Sequence, residues 1–173
     1  MAPRISIDPL ELHDVEAVCG LAREIWRAHY PPIIGAAQTE YMLAQRYRPS
    51  IVGAELGRDD IYWDVLRVDE TMVAFASSVA ENTRELKLDK LYVHPSRQRC
   101  GYGGLLIDHT CARARELGLA AVTLAVNKHN QAAIASYRKH GFEIREALVK
   151  DIGGGFVMDD YVMVRPCGAP SEG

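Results

Sequence analysis

The stretch Leu91–Leu106, LYVHPSRQRCGYGGLL, decides how the rest of this chain is read. Leu91, Tyr92 and Val93 read as the end of a buried strand, and Pro95 interrupts it. Arg97, Gln98 and Arg99 form a basic loop, and Gly101, Gly103 and Gly104 form a turn that opens into an amphipathic helix. The first N–H groups of a helix have no intrahelical partner, and that end carries a partial positive charge. Glycines let such a backbone come close to a ligand. Strand, glycine turn and helix start, with arginines beside them, are the parts of a pyrophosphate cradle.

The kind of pyrophosphate follows from what is missing. Counted from Gly101, the third glycine position of a Gly-x-Gly-x-x-Gly dinucleotide fingerprint is Leu106. The next strand runs into Val126, Asn127 and Lys128 instead of an acidic ribose ligand. No Gly-Lys-Ser/Thr triplet occurs, which removes the phosphate loop of ATP and GTP enzymes. What remains is Gln98-x-x-Gly101-x-Gly103. On this motif the chain resembles the GCN5-related N-acetyltransferase (GNAT) superfamily, whose pyrophosphate motif is Gln/Arg-x-x-Gly-x-Gly/Ala between a strand and a helix. The segment Asn130-x-x-Ala133-x-x-x-Tyr137-x-Lys139-x-Gly141-Phe142 resembles the second coenzyme A segment of that superfamily. Gly155-Phe156-x-Met158-Asp159-Asp160-Tyr161-x-Met163, the Tyr30 loop and Tyr41-Met42-Leu43 resemble a bacterial subset that includes polyamine acetyltransferases. The resemblance covers almost the whole chain.

The resemblance implies an α/β fold: a mixed central sheet of about seven strands with a splayed central strand pair and helices on both faces. It implies acetyl-CoA as co-substrate, with no metal. Main-chain groups around Leu91, Tyr92 and Val93 would bond the pantetheine arm. Gln98, Arg99, Cys100, Gly101, Tyr102, Gly103 and Gly104 would hold the pyrophosphate. Asn127, Asn130 and Lys139 belong to the second coenzyme segment, and Tyr137 would reach the sulfur. Tyr30 and one of Asp159 and Asp160 would face the acceptor. A homodimer is expected, with the strands around Phe156–Val164 as edge candidates that a partner could cover.

Composition sets wider bounds. With 173 residues, 48% hydrophobic and 25% charged, one soluble globular domain with a full core is the simplest reading. We expect that domain to span 1–166 and a flexible, polar tail to follow at 167–173. The net charge of -3 argues against a nucleic-acid partner, which usually demands a basic face. Four scattered cysteines without paired spacing point to free thiols. Cys100 reads as exposed and oxidisable rather than as a nucleophile. MAPRISIDPL has no long apolar core and no run reaches membrane-spanning length, so a cytoplasmic protein without a membrane partner is expected. The six histidines are dispersed, no cluster has metal spacing, and His94 has no visible partner.

Periodicity supplies the elements. Arg4–Ile7 reads as a strand. Val15, Val18, Leu21, Ala22, Ile25 and Trp26 form a helical stripe that Asp14 can cap. Tyr30-Pro31-Pro32 breaks that helix, and the apolar loop to Gly35 either packs over the sheet or walls an acceptor pocket. A helix over Gln38–Tyr47 ends at Pro49, and Ser50 can cap a short third one. Ile61–Val68 and Met72–Val79 read as a hairpin. Glu85–Val93 alternates until Lys90-Leu91, where a bulge is expected. A helix follows from Gly103 to Leu117, with Leu106, Ile107, Thr110, Cys111, Ala114 and Leu117 buried and Gly118 as its stop. Ala121–Val126 reads as a strand buried on both faces. A helix capped by Asn130 and two antiparallel strands complete the chain.

Acyl transfer from a thioester to an amine needs the two reactants held together, a base to free the amine, and a proton for the leaving thiolate. Tyr137 could serve the sulfur. A phenol of pKa about 10 is a poor acid for a thiolate of about 8.5, which points to positioning or weak hydrogen bonding as its role. Glu85 and Asp89 on the central strand, with Glu81 before it, are the candidate bases, and the sequence does not choose among them. Asp159 and Asp160 point to opposite faces, so at most one meets the acceptor. The acceptor is expected to be a primary amine of a small molecule, a polyamine among the options. A protein lysine or N-terminal acetyltransferase and a non-catalytic acyl-CoA sensor remain as alternatives.

Overall fold

The computed structural model describes residues 1–168. The strands are β1 (Ile5–Pro9), β2 (Ile61–Val68), β3 (Thr71–Val79), β4 (Glu85–Val93), β5 (Ala121–Asn127), β6 (Glu143–Gly153) and β7 (Phe156–Pro166). They form one sheet in the order β1-β2-β3-β4-β5-β7-β6. The sheet is mixed: β4 and β5 run parallel, whereas β1–β2, β5–β7 and β6–β7 are antiparallel. The residues group into two compact units, Met1–Ser78 with Lys90–Leu106, and Val79–Asp89 with the described residues from Ile107 onward.

In the first unit, α1 (Val15–His29) buries the expected stripe, Val15, Val18, Leu21, Ala22, Ile25 and Trp26, and adds Cys19. Asp14 does not cap it through its side chain. Its carboxylate instead accepts the Glu11 N–H at 3.2 Å and pairs with Arg67 at 2.9 Å. Pro31 and Pro32 end α1 and also open a four-residue helix, α2 (Pro31–Ile34). Proline suits the first helical positions, where no N–H is needed. The same physics corrects the reading at Pro49. It begins α4 (Pro49–Leu56) behind Arg48, so Ser50 is not the cap. Between them α3 (Ala36–Arg46) starts behind Gly35, whose φ is +87°. Trp26, Tyr47 and Phe75 are fully buried, with ring centroids 5.6 Å (Trp26–Tyr47) and 5.9 Å (Tyr47–Phe75) apart.

β4 carries a lysine among its inward-facing residues, at the point where the apolar alternation stops. Burial alternates straight through Leu86, Leu88 and Lys90. Lys90 breaks the apolar pattern because a lysine, only 3% exposed, occupies a core position. Its ammonium lies 3.6 Å from Glu55 Oε1 and over the Trp63 ring at 5.2 Å.

In the second unit, the β4–β5 register joins Glu85–Lys87 to Ala121–Thr123, three positions, against seven between β5 and β7. Helix α5 (Tyr102–Glu116), whose first turn belongs to the first unit, ends before Gly118 at φ +74°. Leu117 falls outside it and is 43% exposed, and Leu119 is buried instead. Helix α6 (Gln131–Lys139) is closed by Gly141 at φ +88° and by the buried Phe142, whose N–H bonds to Tyr137 O. β7 is not an edge: it lies between β5 and β6, and β6 is the terminal strand. The expected tail does not start at Cys167. That residue is buried and donates its N–H to Ala120 O at 2.9 Å. Ala169–Gly173 lie outside the described residues.

Candidate coenzyme and active-site residues

β4 runs out at Val93 into a 3-10 turn, Pro95–Arg97, and Tyr102 begins α5. Between them Arg99 (φ +64°) and Gly101 (φ +83°) take left-handed conformations. For a non-glycine residue this costs about 1 kcal/mol, and such strain concentrates at functional sites. Leu105 N–H bonds to Gly101 O at 3.2 Å, which leaves the N–H groups of Tyr102, Gly103 and Gly104 as the first-turn donors. A Cβ on Gly101 would meet no atom within 4 Å, and one on Gly103 only Val93 Cγ2 at 3.9 Å. These glycines therefore do not relieve crowding within the chain. Arg97, Gln98, Arg99 and Cys100 are exposed. A pyrophosphate fits this arrangement of donors and cations. Tyr102 is 7% exposed, so it anchors the helix start and offers the ligand its backbone.

Tyr92 sends its ring into the first unit's aromatic cluster, 5.6 Å from Trp26 and 5.7 Å from Phe75. Its hydroxyl lies 3.1 Å from that of Tyr30. Burial, with the Tyr30 and Tyr47 hydroxyls adding, pushes the Tyr92 phenol well above 10. Tyr30 therefore packs directly against the strand expected to carry the pantetheine arm, with its ring 4.3 Å from Trp26. Leu91 and Val93 are half-buried at the end of the same strand.

The second unit carries the other expected residues. Asn127 Oδ1 accepts the His129 N–H at 2.9 Å. Asn130 is buried at the N-cap position of α6, without a side-chain capping bond. Tyr137 meets Phe142 edge-on at 5.8 Å, and Lys139 is exposed. Glu85 is bound by Arg145, and Asp89 lies 3.9 Å from Lys87. Asp159 pairs with Lys128 at 2.7 Å, and this bond holds the lysine above its usual value. Asp160 is 5% exposed and sits opposite Asn127 in the ladder.

Two features escaped the sequence. Lys90 follows Leu86 and Leu88 at the same parity, a signal that could have placed it inside. His94, read as partnerless, lies 2.8 Å from Glu24 and 2.7 Å from Ser96, and no local pattern announces the Glu24 contact. Among the described residues one acidic group, Glu11, His13 and Asp14, brings ligand-type atoms within 4.8 Å, and Asp14 is already engaged by Arg67. No helix among the described residues is long and apolar enough to cross a membrane.

A model of the Acetyltransferase (GNAT) family matches residues 19–142. An uncharacterised N-acetyltransferase of Mycobacterium tuberculosis H37Rv is 34% identical over 99 residues, 57% of this chain and 63% of the relative. The match thus spans less than two-thirds of that relative's length. The spermidine N(1)-acetyltransferase of Thermoplasma acidophilum is 24% identical over 160 residues, covering 90% of this chain and 96% of the relative. The crystal structure of the PaiA N-acetyltransferase from Thermoplasma acidophilum, in complex with coenzyme A, shares the fold. Its TM-score is 0.82 at 23% identity, over 94% of this chain and 99% of that one.

Proposed function

The chain belongs to the acetyltransferase (GNAT) family, and from that membership we propose that it transfers an acetyl group from acetyl-CoA to a primary amine of a small molecule. The observation that carries this reading is the loop between β4 and α5. There the Gln98-x-x-Gly101-x-Gly103 motif coincides with left-handed turns at Arg99 and Gly101 and with the first turn of α5. In this proposal Gln98 to Gly104 hold the pyrophosphate, with the Arg97 and Arg99 cations beside it. Main-chain groups of Leu91, Tyr92 and Val93 align the pantetheine arm, as do Asn127 and Asn130, and Lys139 lies at the far end of the same segment. Acetyl-CoA supplies an activated acyl group, so the chain itself need form no covalent bond. Its residues contribute by holding the reactants at high effective concentration. The Tyr137 hydroxyl orients the sulfur and hydrogen-bonds it as negative charge develops.

For the acceptor, Tyr30 forms one wall. Of the two aspartates, Asp160 is the one the strand buries, and Asp159 pairs with Lys128. A buried carboxylate favours a cationic amine, and the similarity to a spermidine acetyltransferase supports a polyamine. Asp89 and Glu85 remain the proposed bases, Glu85 held by Arg145 and Asp89 near Lys87. A cytoplasmic homodimer completes the reading. The exposed Ile144, Leu148 and Val149 on the terminal strand β6 support the dimer.

Titration calorimetry with acetyl-CoA, followed by a thiol-release assay over spermidine, spermine, amino acids, aminoglycosides and a lysine peptide, tests this. Release with a small amine supports the reading, and release with the peptide alone moves it to a protein acetyltransferase. Binding without release favours a sensor. No binding refutes it.

A further inference from the structure

Every polar atom of His94 is engaged. Its Nδ1 accepts the Ser96 backbone N–H at 3.1 Å and lies 2.7 Å from Ser96 Oγ. Its Nε2 lies 2.8 Å from Glu24 Oε1 on α1. The tautomer follows from the partners, because a carboxylate only accepts and a backbone N–H only donates. Nε2 carries the hydrogen toward Glu24, Nδ1 is the acceptor, and the Ser96 hydroxyl donates to it. The main chain of His94 is committed too: its N–H bonds to Val73 O at 2.8 Å, and its carbonyl accepts the Arg97 N–H at 2.8 Å. One residue thus joins β3, α1 and the Pro95–Arg97 turn.

That turn delivers the chain into Gln98. Beyond it the loop has little regular bonding to set its course. Arg99 and Gly101 hold left-handed conformations, and the Gln98 side chain reaches Val93 O only at 3.5 Å. The buried Tyr102 holds the far end of the loop, and the turn sets the direction in which the loop leaves β4. We propose that His94 is a positioning residue for the coenzyme loop: by capping the Pro95–Arg97 turn through Nδ1 and tying it to Glu24 through Nε2–H, it sets where Gln98–Gly104 present their donors to the pyrophosphate. This rests on the function proposed above and names the group that sets the loop's geometry. His94 touches none of the reacting atoms.

The two ring nitrogens can be separated by substitution. In His94→Asn the amide oxygen stands near Nδ1 and keeps the cap, but the side chain is too short for Glu24. In His94→Gln the amide nitrogen stands near Nε2 and keeps Glu24, but the cap on Ser96 is lost. His94→Ala removes both. Full-chain enzyme is assayed with acetyl-CoA and the best amine of the panel, with melting temperatures recorded alongside. Expected is a rise of about tenfold in the acetyl-CoA KM for His94→Ala, with kcat and the amine KM within about twofold of wild type, as for a misplaced binding group. His94→Asn should recover most of the loss and His94→Gln little of it. An unchanged acetyl-CoA KM in His94→Ala overturns the proposal. So does a loss that falls equally on kcat, or one that Asn and Gln leave unrelieved at a wild-type melting temperature. Failure of the wild-type protein to bind acetyl-CoA would instead remove the proposed function, and this inference with it.

Discussion

Replacing Lys90 by methionine probes the interior of the first unit most directly. The Lys90 ammonium is 3.6 Å from Glu55 Oε1 and lies over the rings of Trp63 (5.2 Å) and Tyr47 (5.9 Å). The other Glu55 oxygen accepts the Trp63 Nε1–H at 3.0 Å. At an effective dielectric of about 20, unit charges 3.6 Å apart attract by about 4.6 kcal/mol. Desolvation of the two ions offsets much of that. Methionine keeps most of the apolar stem, and Glu55 retains Trp63 and a side chain 21% exposed, so the carboxylate is not fully stranded. The net loss should be about 2 kcal/mol, below the roughly 3–5 of breaking a wholly buried pair and above the roughly 0–1 of a surface pair. For a chain of this size that is a fall of about 4–8 °C in Tm. The assay is thermal and urea unfolding of wild type, Lys90→Met, Glu55→Gln and the double variant. The cycle should return a coupling energy of about 1–2 kcal/mol. A Tm within about 1 °C of wild type, or a coupling energy near zero, would refute the pairing.

Other expectations follow from the same geometry. Burial pushes the Asp14 carboxyl up, but the Glu11 N–H and Arg67 outweigh it and hold it below 3.8. A value depressed on folding adds stability above the unfolded pKa and loses it as pH falls through the folded one. Asp14→Asn should therefore cost about 1–2 kcal/mol at neutral pH, with the gap to wild type closing below about pH 4 in denaturant melts. A gap that ignores pH contradicts this. Tyr137→Phe keeps the ring contact with Phe142, and kcat should fall about 10- to 100-fold. An unaltered kcat removes the phenol from the chemistry. Cys100 is exposed, whereas Cys19, Cys111 and Cys167 are buried. Native thiol labelling should show one fast thiol, lost in Cys100→Ser, and three slow ones. The hydrogen bond from Cys111 outweighs burial and, with Arg165 and Arg115, pulls the Cys167 thiol down to about 7. The slow labelling of Cys167 should therefore rise through a midpoint near that value, and a midpoint above 9 would contradict the pairing.

What the sequence determined by itself was whatever a short window contains. The apolar stripe of α1, the glycine stops after α5 and α6, and the strand–turn–helix around Gln98-x-x-Gly101-x-Gly103 are each written within one element or at one junction. The mixed sheet was what the resemblance carried by those motifs implied. Even local reading stumbled where one residue serves two outcomes. Proline both stops a helix and starts one, as Pro31 and Pro49 do. Tertiary structure alone decided the partners. Glu24 meets His94 across 70 positions, Tyr30 meets Tyr92 across 62, and Arg145 meets Glu85 across 60. It also decided that β6, and not β7, ends the sheet, since the two strands of a hairpin do not say which of them pairs onward. The physical reason is common to all of these. A side chain's period along the chain states which face it turns inward, but what it meets there depends on where distant segments return. That return is set by packing the whole core at once, so a lysine at a core position remains an anomaly until Glu55, Trp63 and Tyr47 come round to enclose it.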